Sequence, residues 1–247
     1  MKTATSMKCI CCPSGEMCAY GPVLRCAECG YAASTQRFQN PYEADYGLSR
    51  KFMVLDLTVE SVELAITRVG FLKAMSIDAG EVFDVGCSVG SFLHRARKDG
   101  FSVTGCDISP FVWDDMQRKA INFRQENFEE AASLPDVNVT AVTMFDVIEH
   151  FKDPEFAVKK AREMLRTGGA IVISTPNAEG LGPIEIREWR HYRPEEHFHY
   201  FTAKALTGLL KRLGFRDFKV SYAESSIRAD HERPGLNILT VSARKVA

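Results

Sequence analysis

EVFDVGCSVGSFLHRA, residues 81–96, passes from a short apolar run through a glycine-spaced turn into a helical pattern. Gly86 and Gly90 bracket Cys87, Ser88 and Val89, and Asp84 stands just ahead of them. Glycine is placed where backbone must turn left-handed or where a ligand comes up against it, and a strand-to-helix junction presents free amides to such a ligand. The stretch therefore predicts a binding turn at the carboxyl end of a parallel strand. A dinucleotide fingerprint places glycine at three spaced positions; here those positions fall on Gly86, Ser88 and Ser91, which weakens a nicotinamide reading. Asp107 closes the next apolar run about 20 residues further on, where a carboxylate can accept hydrogen bonds from both hydroxyls of a ribose. Turn and carboxylate together predict an adenosine-bearing ligand.

Outward from this junction strand and helix patterns alternate, which predicts a parallel sheet covered by helices on both faces. Strands are expected at 82–85, 101–106, 139–145, 170–175, 218–223 and 237–243. A helix at 91–98 is stopped by Gly100, and another opens at Ser109 and Pro110. A third opens on Asp153 with Pro154 behind it and runs to Gly168 and Gly169, and a fourth is capped by Thr202 and ended by Gly214. Ahead of the sheet, residues 51–75 repeat apolar side chains at helical spacing and predict one long helix packed against the alternating elements.

The chain is 247 residues long and 45% hydrophobic, enough for a sizeable core. Its net charge of -1 offers no bulk attraction to nucleic acid or anionic lipid. No apolar run reaches the roughly 18 residues of a membrane span, and MKTATSMKCICC lacks the apolar centre of a secretion signal, so a cytoplasmic protein is expected. Six of the eight cysteines fall within the first 29 residues. Cys9-x-x-Cys12 and Cys26-x-x-Cys29 have the spacing of a zinc ribbon, in which four thiolates hold a structural metal that stabilises a segment too short to bury a core. Cys11 adjoins Cys12 and is an alternative ligand; Cys18 is left over. The predicted organisation is a ribbon at 1–38, a polar, turn-rich linker at 39–49 and a main domain at 50–247.

Five stretches in order, FDVGCSVGSFL, VTGCDIS, TMFDVIEHFKDPE, LRTGGAIVISTPN and EEHFHYFTAKALTGLLKRLGF, strongly resemble the class I S-adenosylmethionine-dependent methyltransferases over roughly residues 50 to 245. Glu149-His150 followed by Asp153-Pro154, and the HFHYFT segment, are similar to a subgroup that holds ubiquinone-biosynthesis O-methyltransferases and methyltransferases of sugar and natural-product pathways. The resemblance implies a Rossmann-like, doubly wound, mainly parallel seven-stranded sheet, with S-adenosylmethionine in the glycine turn. Carried over residue by residue, it implies that Asp84, Gly86 and the backbone of Cys87, Ser88 and Gly90 face the methionine part. It further implies that Asp107 takes the ribose, Ile108 flanks adenine, Asn127 and Phe128 meet the adenine edge, and Phe145 lines the cofactor from below. The family usually has glycine where this chain has Ser88.

Methyl transfer from a sulfonium chiefly requires an aligned acceptor and exclusion of water, and a hydroxyl acceptor also benefits from a base. His150 leaves a strand at the sheet's carboxyl edge, where neutral imidazole can take that proton; the alternative is that Glu149 and His150 only orient the next loop. His197 and His199, one residue apart, would face one side of an extended segment and line the acceptor pocket. They could also hold a metal if Glu149, Glu195 or Glu196 came within reach, or simply anchor the loop. Arg187, Arg190 and Arg193 suit an anionic acceptor or a solvated surface. The expected function is methyl transfer to a small molecule, most readily a hydroxyl of a sugar, glycan or pathway metabolite. The alternatives are an RNA methyltransferase gripping its substrate with the ribbon, a noncatalytic cofactor-binding protein and a nicotinamide-dependent oxidoreductase.

Overall fold

The computed structural model describes residues 8–36, 58–132, 138–182, 185–228 and 236–246, without the side chains of Phe111 and Asp115. The linker expected at 39–49, and the first residues of the long helix expected from 51, lie outside these. Three short strands come first, β1 (Met17–Tyr20), β2 (Val23–Cys26) and β3 (Ala32–Ser34), followed by helix α1 (Val59–Ala74). The alternating part comprises β4 (Glu81–Val85), α2 (Ser91–Lys98), β5 (Ser102–Asp107), α3 (Trp113–Arg118), β6 (Asn122–Gln125), β7 (Val139–Phe145), α4 (Pro154–Met164) and β8 (Leu165–Pro176). It closes with α5 (Glu185–Glu188), β9 (His199–Tyr200), α6 (Ala203–Arg212), β10 (Phe215–Ser221), α7 (Ala223–Ile227) and β11 (Ile238–Lys245).

The large sheet has the order β10-β11-β8-β7-β4-β5-β6. Its inner strands run parallel, while β11 is antiparallel to both β8 and β10. This is the Rossmann-like, mainly parallel seven-stranded sheet that the sequence predicts. The chain proceeds from β4 outward to β6 and then returns to β7 on the other side of β4, so β4 is the switch point at whose carboxyl end ligands bind. Side-chain alternation along β7 builds two cores. Val142 and Met144 join Ala157, Val158 and Leu209 on one face, whereas Ala141 and Phe145 join Val69, Leu72, Phe92 and Leu93 on the other.

The helix caps match expectation: Asp153 accepts from the Phe156 amide at 3.0 Å with Pro154 in the first turn, and Thr202 accepts from the Ala205 amide at 3.1 Å. The strand expected at 218–223 runs over Phe215–Ser221 instead, because Tyr222 and Ala223 turn into helix α7, and three further details differ. The helix after Pro154 stops at Met164, because buried Leu165 turns extended and pairs with Val139 to begin β8, which carries Gly168 and Gly169 within it. Pro110 opens a 3-10 turn, Pro110–Val112, before α3 begins. Strand β6 has no periodic signal in the sequence, since its four residues form a half-buried polar edge.

The cysteine-rich segment forms a second sheet in the order β1-β2-β3-β9. Its last strand comes from the distant end of the chain, with Ala32 opposite Tyr200 and Ala33 opposite His199. Cys9, Cys26, Cys29 and Tyr31 belong to the same apolar cluster as Phe201, Ala205 and Leu209.

Candidate functional site

The glycine turn is left-handed where it needs to be: φ is 68° at Gly86, 47° at Ser88 and 76° at Gly90. A methyl group on Gly86 would come within 2.3 Å of Val147 Cγ2, so both dihedral and space demand glycine there. Ser88 holds a conformation that costs a non-glycine residue about 1 kcal/mol, and its amide donates to Asp107 Oδ2 at 2.9 Å. The Ser109 amide donates to Asp107 Oδ1 at 2.8 Å, which fixes the carboxylate at the tip of β5. Asp84 is buried and accepts from Thr143 Oγ1 at 2.6 Å; burial pushes its carboxyl up to about 7.

A cavity of about 550 Å³ opens over this turn. Asp84, Gly86, Cys87, Ser88, Asp107 and Ile108 line it at one end, and Asn127, Phe128 and Phe145 also reach it. Gly90 does not. It occupies the N-cap of α2, where an added Cβ would meet Met116 at 2.8 Å, so its role is to let the turn close against the core. Phe128 is held between Phe83 and Phe151, with ring centroids 6.3 Å from each. Buried Lys160 secures the same loop by donating to the carbonyls of Phe128 and Ala131 at 2.7 and 2.6 Å.

Glu149, His150 and His197 also line the cavity, and each presents one ligand atom within 4.8 Å of the others. His150 Nδ1 donates to Glu196 O at 2.7 Å and His197 Nδ1 donates to His191 O at 2.8 Å, since a carbonyl only accepts. With the proton on Nδ1, Nε2 is the basic nitrogen of both rings. Burial lowers both imidazoles, His197 to about 4, and keeps them neutral at pH 7. Glu149 accepts from Thr175 Oγ1 at 2.9 Å, and burial followed by the Asp146 charge pushes it up to about 8.

His199 is not part of this group. Its Nε2 donates to Phe151 O at 3.0 Å and its Nδ1 accepts from Tyr31 Oη at 2.6 Å, away from the cavity. The expected shared face with His197 fails because a turn precedes the strand: the His197 amide bonds Arg193 O at 2.6 Å, and extended geometry begins only at His199. Of the three arginines expected for an anionic acceptor, Arg190 and Arg193 line the cavity, with Arg193 paired to Glu196 at 2.8 Å, whereas Arg187 is not part of its lining.

Four lining or adjoining residues were given no role by the motifs, although Asp146 stands within TMFDVIEHFKDPE. Asp146, left-handed at φ 58° just after β7, pairs with Arg68 at 2.9 Å and Arg228 at 2.5 Å, and Glu224 pairs with both arginines. Burial raises Asp146, but the Arg228 and Arg68 guanidiniums outweigh it and hold the carboxyl well below its usual range. The Arg68 guanidinium also lies 4.4 Å from the centre of the Phe145 ring. The sequence signals are Arg68, one of two cations in helix α1, and an aspartate just past the end of β7.

The four cysteine sulfurs Cys9, Cys12, Cys26 and Cys29 lie within 4.8 Å of one another, with Cys9–Cys29 and Cys12–Cys26 at 3.5 Å. Sulfurs around a tetrahedral zinc with bonds of about 2.3 Å are separated by about 3.8 Å, so the set fits that ion. Gly15 faces it so closely that a Cβ would sit 2.4 Å from Cys26 Sγ. Cys11 is buried beside the four; its amide donates to Cys9 Sγ at 3.3 Å and burial pushes its own thiol up, the character of a supporting donor.

A family model described as a methyltransferase domain matches residues 62–220. A ubiquinone biosynthesis O-methyltransferase of Escherichia fergusonii is 28% identical over 121 residues, which are 46% of this chain and 50% of that protein. The chain thus spans about half the length of the curated relatives it matches. Among solved structures, a 1,6-didemethyltoxoflavin-N1-methyltransferase of Burkholderia thailandensis, with its substrate and S-adenosylhomocysteine bound, superposes with a TM-score of 0.60 at 19% identity over 90% of this chain and 97% of that one. A magnesium protoporphyrin IX methyltransferase of Synechocystis, with S-adenosylhomocysteine, gives 0.60 at 16% identity over 83% and 97%. These two likenesses establish the fold.

Proposed function

The chain belongs to the methyltransferase domain family, and on that premise we propose that it transfers a methyl group from S-adenosylmethionine to a small-molecule acceptor, a hydroxyl of a sugar, glycan or pathway metabolite. The observation that carries the reading is one cavity joining the glycine turn and Asp107 to His150 and His197. S-Adenosylmethionine would supply an activated methyl group on a sulfonium, whose electron pair stays on sulfur when the bond breaks. Asp107 would hold the ribose hydroxyls, with its carboxylate oriented in advance by the amides of Ser88 and Ser109. His150 Nε2 would take the proton of the acceptor hydroxyl as its oxygen bonds to the methyl carbon. The acid-rich lining of the cavity suits a cation in place of a polyphosphate, and a net charge of -1 argues against an RNA substrate. The four thiolates would hold about one structural zinc per chain.

Calorimetry tests the cofactor: S-adenosylhomocysteine should bind and a nicotinamide dinucleotide should not. Tight nicotinamide binding without a response to the methyl donor overturns the assignment. For the base, His150→Ala should slow turnover of an identified acceptor by roughly a hundredfold while leaving donor affinity nearly intact.

A second reading rests on the convergence of Glu149, His150 and His197. Two imidazoles held by backbone carbonyls and one carboxylate are also a ligand set for a divalent cation, which would bind the acceptor oxygen directly. Loss of turnover with a chelator that leaves the ribbon's zinc in place would favour the cation; indifference would favour the base.

A further inference from the structure

The segment Glu196 to Phe201 is bonded on both of its edges. On the inner edge the Phe198 amide donates to Glu149 O at 2.9 Å and Glu196 O accepts from His150, which joins the segment to the cavity wall. On the outer edge it pairs with β3, and the Ser34 amide donates to Phe198 O at 2.9 Å. The cysteine ribbon therefore backs the same six residues whose other side holds His197.

The coupling is also carried by side chains. His199 Nε2–H is committed to Phe151 O, so its Nδ1 can only accept and Tyr31 Oη must be the donor. Tyr31 stands two residues from Cys29, and its carbonyl accepts from the Cys26 amide at 2.8 Å. Thr202 Oγ1, the cap of α6, donates to Cys29 O at 2.6 Å. At the other knuckle Arg212 donates to Ile10 O at 2.6 Å, and Gly208 leaves room for Cys11 O, which an added Cβ would meet at 2.8 Å. Ribbon and catalytic domain share a core along this line, a different arrangement from a module tethered to grip a separate partner.

We propose that the ribbon is the outer layer of the acceptor wall, and that Tyr31 and His199 are positioning residues through which the loaded cysteine knuckle sets the place of His197. The donor end of the cavity hangs on β4 and β5 and makes no such contact with the ribbon among the described residues, so the two ends should respond differently when the coupling is cut. The inference deepens the methyltransferase reading by stating what the ribbon does for that site.

The test uses the full chain as wild type, as Tyr31→Phe and as His199→Asn, with zinc measured in each, and adds wild type stripped by a chelator. Three quantities are read: hydrogen exchange at the amides of residues 198–200, the imidazole nitrogen resonances of His197, and affinity for S-adenosylhomocysteine. Loss of one buried hydrogen bond should speed exchange of the wall by about tenfold. It should also shift the His197 resonances, while zinc content and S-adenosylhomocysteine affinity stay within about twofold. Stripping should move exchange and resonances further in the same direction. Unchanged exchange and resonances in both variants overturn the proposal, as does a parallel loss of S-adenosylhomocysteine binding, which would mean a general loss of fold. If wild type binds no S-adenosylhomocysteine, the methyltransferase reading fails, while the exchange data still report whether the ribbon holds the wall.

Discussion

The two ends of the cavity are built by different means. The end proposed for the methyl donor is mainly local: β4, the glycine turn, α2 and β5 come one after another within residues 81–107, with Asn127, Phe128 and Phe145 added from later in the chain, and Asp107 is oriented by backbone amides of the turn and of Ser109. The end proposed for the acceptor draws on residues far apart in the chain, among them Glu149, His150 and His197, and the segment that carries His197 pairs with the cysteine ribbon. A ligand common to a whole family can be held by backbone, which any sequence supplies once its turn is right. A particular acceptor needs side chains, and their placement here depends on long-range packing.

The largest effect that would sharpen this contrast comes from the zinc proposed for the ribbon. Structural zinc supplies on the order of 10 kcal/mol to a small ribbon. Cys26→Ser should therefore abolish zinc binding and lower the melting temperature sharply, while residual folded protein still binds S-adenosylhomocysteine. Equal loss of donor binding and ribbon structure would break the distinction between the two ends.

Asp107→Ala probes the donor end. Removing a charged acceptor of two hydroxyl contacts should weaken S-adenosylhomocysteine by about 1.5 to 3 kcal/mol, measured by calorimetry, with hydrogen exchange of the acceptor wall unchanged.

The acceptor end should also carry a pH dependence. Glu149 is pushed up to about 8 in the folded chain, against about 4.3 when unfolded. Its protonated, buried form contributes stability that is complete below pH about 4 and is lost as pH rises through about 8, an effect on the order of a few kcal/mol. Glu149→Gln should flatten the decline of denaturation midpoints over that window. The slope that survives below about 7 is shared by Asp84, Asp107 and Glu129, which burial also raises, and is opposed by the buried histidines, which burial lowers.

The smallest effect is expected at Ser88. Ser88→Gly removes the cost of a left-handed φ but gives the unfolded chain more freedom, so the net stabilisation should be about 1 kcal/mol or less. A chemical denaturation curve would detect it, and a destabilised variant would show that the hydroxyl makes a contact worth more than the strain.

The sheet was legible because its inner strands are apolar runs bounded by glycine and caps. Even the seven-stranded, mainly parallel topology agrees with their alternation with helices and with the family resemblance. Strand β6 escaped because an edge strand need not be apolar. His199 was misplaced by the assumption that extended geometry ran through His197, when a turn closed by Arg193 O lies between. The Arg68, Asp146, Glu224 and Arg228 network was invisible because ion pairing across α1, β7 and α7 leaves no spacing in the sequence.

By itself the sequence determined what is set by short-range chemistry: the glycine turn, Asp107 about 20 residues beyond it, the capped helices and two thiolate pairs with metal spacing. Such features depend on backbone dihedrals and ligand reach within a few residues. The tertiary structure alone decided that His197 joins His150 while His199 turns to Tyr31, and that the ribbon's sheet is completed by a strand from the other end of the chain. Those outcomes rest on which buried polar groups find partners when distant segments pack, as the His199 and Tyr31 side chains do only in the folded whole.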